Sequence, residues 1–170
     1  MELREAKYIA KMDLKWGFWQ FPVREEDRWK IAFRWKGDMY QYRVVCMGNT
    51  DSTNYLQRTM VRLFKKTHMR GSLVFLDDIF AYGKTWAEFV AALRGVFEVL
   101  LSANLFLKKE KCTFGAREVH VLGHVVSREG VRSDSSRIDA VVAMPFPRNA
   151  RELRRFLGMT SFMREYIKSF

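Results

Sequence analysis

A chain of 170 residues with a formal charge of +11 makes one domain, or one domain with an appendage, and is long enough to bury a real core. Its basic residues recur along the whole length, which favours a polyanionic partner, most often nucleic acid, over a basic surface with no dedicated partner. Two cysteines, Cys46 and Cys112, form no C-x-x-C pair, which argues against a disulfide framework and suits a reducing compartment.

The start of the chain is charged from Glu2 to Lys7 and carries no apolar segment of the signal-peptide kind. No apolar run approaches a membrane span, and the longest is cut by Asp77 and Asp78. The expected location is intracellular, cytoplasm or nucleus, and not secreted, with no membrane partner.

Tyr8 to Leu14 reads as a strand with Asp13 near its end, and Gly17 marks a tight bend after it. Pro22 to Asp27 is a polar turn region. Trp29 to Phe33 and Met39 to Val45 read as two strands joined at Lys36-Gly37-Asp38. Arg24, Arg28, Lys30 and Arg34 add positive charge there, which on a strand is most simply a solvated face. Thr50 to Thr53 is rich in N-cap residues and opens a helix running to about Lys66. Tyr55, Leu56, Met60, Leu63 and Phe64 form its apolar stripe. Arg58, Arg62 and Lys65 line another face, suited either to water or to tracking phosphates.

Val74 to Tyr82 is the informative stretch: an apolar, β-prone run with two adjacent carboxylates, Asp77 and Asp78, in its middle. Paired carboxylates in a dry setting are costly unless something neutralises them. Aspartate tolerates turns, so a hairpin with Asp77-Asp78 at its tip is expected. Such a tip points its carboxylates either into water or at a divalent metal ion. Asp13, which taken alone is most simply a strand-end or turn aspartate, offers a third carboxylate from a separate strand, and three from two neighbouring strands are what a two-metal phosphoryl-transfer site needs.

Trp86 to Ser102 is an amphipathic helix with Phe89, Leu93, Val96, Phe97 and Leu100 inward. Leu105 to Leu107 reads as a short strand, followed by Lys108, Lys109 and Lys111. Val119 to Ser127 is strand-like and broken at Gly123. His120 and His124 have the spacing of a helical zinc pair, but the valines and Gly123 argue against a helix, so a zinc site is rejected. Ser133 to Ser136 starts a helix reaching about Met144, ended by Pro145 and Pro147. Asn149 to Glu152 begins the last helical region. Leu153, Phe156 and Leu157 are its apolar side, Arg151, Arg154 and Arg155 its basic edge, and Gly158 and Thr160 its expected interruption. Hairpins mixed with helices imply an α+β fold, an antiparallel sheet with helices packed on one face.

An ordered series of motifs now carries a resemblance. Lys11-Met12-Asp13-Leu14-Lys15-x-Gly17-Phe18-x-Gln20-x-Pro22-Val23, Phe75-Leu76-Asp77-Asp78, Phe114-Gly115, Leu122-Gly123-His124-Val125-Val126-Ser127 and Glu152-Leu153-Arg154-x-Phe156-Leu157-Gly158 follow one another along the chain. The series resembles the reverse transcriptase of gypsy-like long-terminal-repeat retrotransposons, from about Ala6 to Phe170. The resemblance implies a polymerase palm over residues 1–128, with the fingers segment largely missing, and a partial helical thumb over 129–170.

The resemblance also implies roles. Asp13, Asp77 and Asp78 would be catalytic and would hold two Mg2+ ions, with Mn2+ as the alternative. Phe18 would be the steric gate for deoxyribonucleotides, unless it is simply a core aromatic, and Met47 and Gly48 would lie in the substrate pocket. Lys111 would be the general acid for pyrophosphate, in competition with Lys108 and Lys109. Leu122 and Gly123 would belong to the primer grip, and the last helices, with Arg151, Arg154 and Arg155, would lie along the duplex. The partners implied are an RNA template, a DNA primer and deoxynucleoside triphosphates. One block departs from the pattern: Cys46 to Thr53 keeps only Gly48 of the family's pocket consensus, and Asp51 adds negative charge where a triphosphate approaches. Two functions follow, a truncated RNA-directed DNA polymerase domain or a catalytically inactive nucleic-acid-binding scaffold derived from a retrotransposon.

Overall fold

The computed structural model describes residues 5–66, 71–127 and 129–170. The palm–thumb boundary expected at residue 128 lies outside them. The chain forms two compact units, one of residues 6–116 and one of residues 117–170 together with Glu5.

In the first unit, strand β1 (Tyr8–Asp13) is central to a four-stranded antiparallel sheet. It pairs with β5 (Asp78–Gly83) on one side and β6 (Thr113–Ala116) on the other, and β4 (Ser72–Phe75) closes the edge beyond β5. Side chains alternate across a strand. Ala10, Met12 and Leu14 of the β1 segment, with Ile79 and Ala81 of β5, enter one apolar core. Lys11, Asp13, Asp78 and Phe80 therefore fall on the opposite face.

That core is covered by helices α1 (Ser52–Lys66) and α2 (Trp86–Ser102). Leu56, Met60 and Phe64 of α1 meet Phe89, Ala92, Val96, Val99 and Leu100 of α2 in the cluster. The start of α2 is set by a capping box: the Glu88 N–H donates to Thr85 Oγ1 at 3.2 Å while Glu88 Oε2 accepts from the Thr85 N–H at 3.2 Å. The α+β arrangement with helices on one face is the one expected from the sequence. Two stripe residues differ: Tyr55 and Phe97 are 45% and 37% exposed, and Ala92 and Val99 take inward positions on α2 instead.

Several local expectations are corrected. Strands β2 (Ala32–Trp35) and β3 (Asp38–Gln41) form the predicted hairpin around Lys36-Gly37, but Trp29 to Ile31 belong to a 3-10 helix over Glu25–Ile31. Asp27 stabilises that helix by accepting from Lys30 Nζ at 2.6 Å and Arg24 Nε at 2.9 Å. These hydrogen bonds, with the charges behind them, hold the Asp27 carboxyl below its usual range. Leu105 to Leu107 contributes only an isolated bridge, Leu107 to Leu14, and no named strand. At the β4–β5 hairpin, Phe75 pairs with Asp78, so the turn is Leu76-Asp77 and Asp78 is the first residue of β5.

The second unit holds β7 (Glu118–Val121), β8 (His124–Ser127) and β9 (Gly130–Ser133) in an antiparallel sheet. Helices α3 (Ser135–Val142) and α4 (Ala150–Phe162) follow. Asp134 caps α3, accepting from the Ser136 hydroxyl at 2.8 Å and N–H at 3.0 Å, and its carboxyl is held below the usual range by those bonds and by His120. Asn149 caps α4, accepting from the Glu152 N–H at 2.9 Å. Helix α4 runs through Gly158 and Thr160 without the expected break; Thr160 is buried, and its Oγ1 donates back to Phe156 O at 3.0 Å. Among the described residues no helix is long and apolar enough to cross a membrane.

Candidate active site

The antiparallel register sets Asp13 of β1 directly opposite Asp78 of β5. Directly opposed residues carry Cβ atoms about 4.5–5.5 Å apart, and like charges there repel. Two lysines offset that repulsion. Lys111 Nζ stands 3.1 Å from Asp13 Oδ2, and Lys11 Nζ stands 3.2 Å from Asp78 Oδ2. Asp77 adjoins the pair from the turn: its backbone carbonyl accepts from the Leu14 N–H at 3.1 Å. A Cβ added at Gly17 would sit 3.4 Å from Asp77 Cβ, so the bend after β1 lies against the Asp77 side chain.

Local structure places each group. Lys111 ends a 3-10 turn over Lys109–Lys111 that leads into β6. The turn is tied to β1 by the Lys108 N–H, which donates to Asp13 O at 2.9 Å. Gln20 fastens the bend after β1 to the segment before that turn, accepting from the Phe106 N–H at 2.7 Å and donating to Phe106 O at 2.9 Å. Of the three lysines competing for the role beside the carboxylates, Lys111 is the one given an ion pair with Asp13.

The hydrogen bond from Lys111 to Asp13, reinforced by the Asp13 charge, raises the ammonium above its ordinary lysine value, and the charges of Asp77 and Asp78 act in the same direction. All three carboxylates thus bear on one proton donor. A group with a raised folded value contributes stability that is complete below its unfolded value and is lost as pH rises through the folded one. The stability advantage of the wild type over Lys111→Met is therefore expected to hold from neutral pH to the ordinary value of 10.5 and to shrink above it. Thermal midpoints of both proteins across that range measure it.

Among the described residues, no three His, Cys, Asp or Glu side chains converge as a ready-made metal cage. Asp13 and Asp78 each turn an oxygen to a lysine instead. The donor set still suits magnesium, which prefers oxygen ligands and keeps water and phosphate in its shell. Phe18 is half-buried against the core beside the Gly17 bend. Met47 and Gly48 lie in the exposed loop ahead of α1, Met47 being 66% exposed.

The remaining expected residues lie in the second unit. Leu122 and Gly123 form the two-residue turn between β7 and β8, with φ of 52° and 83°. A Cβ at Gly123 would overlap the Arg137 guanidinium, so the glycine permits that close approach. Arg151, Arg154 and Arg155 are exposed on α4 at i, i+3 and i+4, which places them on one helix face. His120 meets Asp134 at 2.9 Å and His124 meets the Tyr166 hydroxyl at 2.9 Å.

One residue at the site escaped the sequence reading. Gln57 of α1 accepts from the Leu76 N–H at 2.6 Å and donates to Val74 O at 3.4 Å, gripping the carboxylate hairpin. No periodicity or motif marks a helical glutamine for such a contact.

A family model described as reverse transcriptase (RNA-dependent DNA polymerase) matches residues 1–126. The chain is similar to the retrovirus-related Pol polyprotein from transposon 297 of Drosophila melanogaster, at 32% identity over 169 residues, 99% of this chain and 16% of that protein. It is similar also to the Pol polyprotein from transposon gypsy of the same fly, at 29% identity over 168 residues, again 99% of this chain and 16% of that protein. Among solved structures it resembles the foamy viral protease–reverse transcriptase in complex with double-stranded DNA, with a TM-score of 0.84 and 29% identity over 96% of this chain and 34% of that one. The same comparison with the foamy viral protein in complex with an RNA/DNA hybrid has a TM-score of 0.77 and 30% identity over 93% of this chain and 21% of that one. The α+β unit is therefore polymerase palm-like, and the chain, which spans about a sixth of the length of the transposon Pol polyproteins it resembles, belongs to the reverse transcriptase (RNA-dependent DNA polymerase) family.

Proposed function

We propose that the chain carries the centre for template-directed deoxynucleotidyl transfer, copying an RNA template from a DNA primer with deoxynucleoside triphosphates. The single observation that supports this best is the register that opposes Asp13 to Asp78, with Asp77 in the adjoining turn and Lys111 at 3.1 Å from Asp13. Asp13, Asp77 and Asp78 would hold the metal pair, magnesium or manganese. When bound, the pair supplies activation of the primer 3′-hydroxyl and neutralisation of the charge on departing pyrophosphate.

The chain's own groups divide the remaining work. The carboxylates set where the reacting oxygens sit. Lys111, kept protonated by its acidic surroundings, holds a proton at Nζ for the leaving pyrophosphate. Phe18, in the bend beside Asp77, limits the room at the sugar. Met47 and Gly48 would flank the incoming nucleotide. Leu122 and Gly123 would seat the primer, and the arginine face of α4 would track duplex phosphates. Residues through 128 would then act as palm and 129–170 as partial thumb.

Primer extension tests the reading: a labelled DNA primer on an RNA template, with magnesium and all four deoxynucleotides, is expected to lengthen and to stop lengthening when the metal is chelated. No extension, together with salt-sensitive RNA binding, would replace this reading with the scaffold one, which the changed Cys46 to Thr53 block favours.

A further inference from the structure

We propose that Gln57 is a positioning residue that holds the Leu76-Asp77 turn in the shape that presents Asp77 and Asp78. The metal-binding part of this proposal rests on the reading above; the structural part does not. The turn is strained at one point. Leu76 has φ of 54°, in the left-handed region that a residue with a Cβ enters only at a cost. Two-residue turns that need a positive φ at their first position ordinarily use glycine there. Something must hold Leu76 in place.

The turn also leaves a donor outside the strand ladder. Phe75 and Asp78 are the last ladder partners, so the half-buried Leu76 N–H needs an acceptor from elsewhere. Gln57 Oε1 supplies it at 2.6 Å, and the same amide donates to Val74 O at 3.4 Å. One side chain thus clasps the turn and the end of β4 together. Gln57 is well placed for this because its neighbours on α1, Leu56 and Met60, are fully buried in the core. The contact comes from a rigid element rather than a loop. Asp78 is two residues past Leu76. A change of turn shape would re-aim Asp77, which sits in the turn, and the first residue of β5, which is Asp78.

The test uses the full chain and three variants. Gln57→Met keeps length and removes both hydrogen bonds, Gln57→Asn shortens the amide out of reach, and Gln57→Glu keeps the acceptor for the Leu76 N–H. In Gln57→Met and Gln57→Asn, exchange of the Leu76 amide followed by NMR is expected to quicken about ten-fold. Mn2+ affinity measured by EPR is expected to weaken by a similar factor, with exchange at Ala10 and Met12 unchanged. Gln57→Glu is expected to restore protection of Leu76.

Wild-type exchange at Leu76 in Gln57→Met and Gln57→Asn would overturn the proposal. So would a uniform quickening through β1 and α2, which would make Gln57 an ordinary stabilising residue. A wild type that binds Mn2+ yet extends no primer counts against the polymerase reading alone. The ratio of Leu76 exchange rates still decides this one.

Discussion

Asp78→Asn is expected to reduce primer extension on the order of a thousand-fold or more while leaving the chain folded. Asparagine matches aspartate in shape, so the β5 backbone and its pairing with Asp13 are retained. The change removes the negative charge that a divalent ion needs and leaves a neutral amide in its place. Losing the Lys11 pair is offset by relief of the like-charge repulsion between Asp13 and Asp78, which face each other across the strands. Asp77→Asn is expected to show the same loss. Single-turnover extension beside a thermal unfolding curve separates the chemical defect from a folding one. Activity within ten-fold of wild type would remove the residue from the catalytic set.

The second large effect is on the fold beneath that carboxylate. Ile79 is fully buried, pairs with Met12 across β1 and with Val74 across β4, and belongs to the core under α1 and α2. Its inward direction obliges Asp78 to face outward, since neighbours on a strand point to opposite sides. Ile79→Ala is expected to destabilise the chain by about 2–5 kcal/mol, and Ile79→Val by about 0.5–1.5 kcal/mol. Against a total of about 5–15 kcal/mol for a typical domain, the alanine variant loses a large share of its stability. Urea unfolding of the three proteins measures it. A loss below that of the valine variant would mean that Ile79 does not anchor the sheet.

Some of this architecture is legible in the residues themselves. Strand β1 and helices α1 and α2 announce themselves through alternation and apolar stripes. The carboxylates at 77 and 78 stand out because charge interrupts an apolar run. Other features resist such reading for physical reasons. The turn is displaced by one residue because its left-handed position carries Leu76 rather than glycine. Trp29 to Ile31 are apolar enough for a strand, yet ion pairs at helical spacing around Asp27 wind them into a 3-10 helix. Gly158 and Thr160 are poor helix formers, but packing overrides local propensity, and Thr160 is buried within α4. Strands β6 and β9 are four residues each and contain Gly115 and Gly130, which weakens any pattern. Gln57 finds its partner 19 residues away, a distance no local signal spans.

Asp13, Asp77 and Asp78 are expected to grip two divalent ions together, at the end of the sheet where β1 and β5 pair. EPR of the chain loaded with Mn2+, a template–primer and an incoming nucleotide that cannot react tests it most directly. Two coupled ions about 3.5–4 Å apart are expected, with the coupling lost in Asp13→Asn. A single uncoupled ion, or binding indifferent to Asp13, would contradict it.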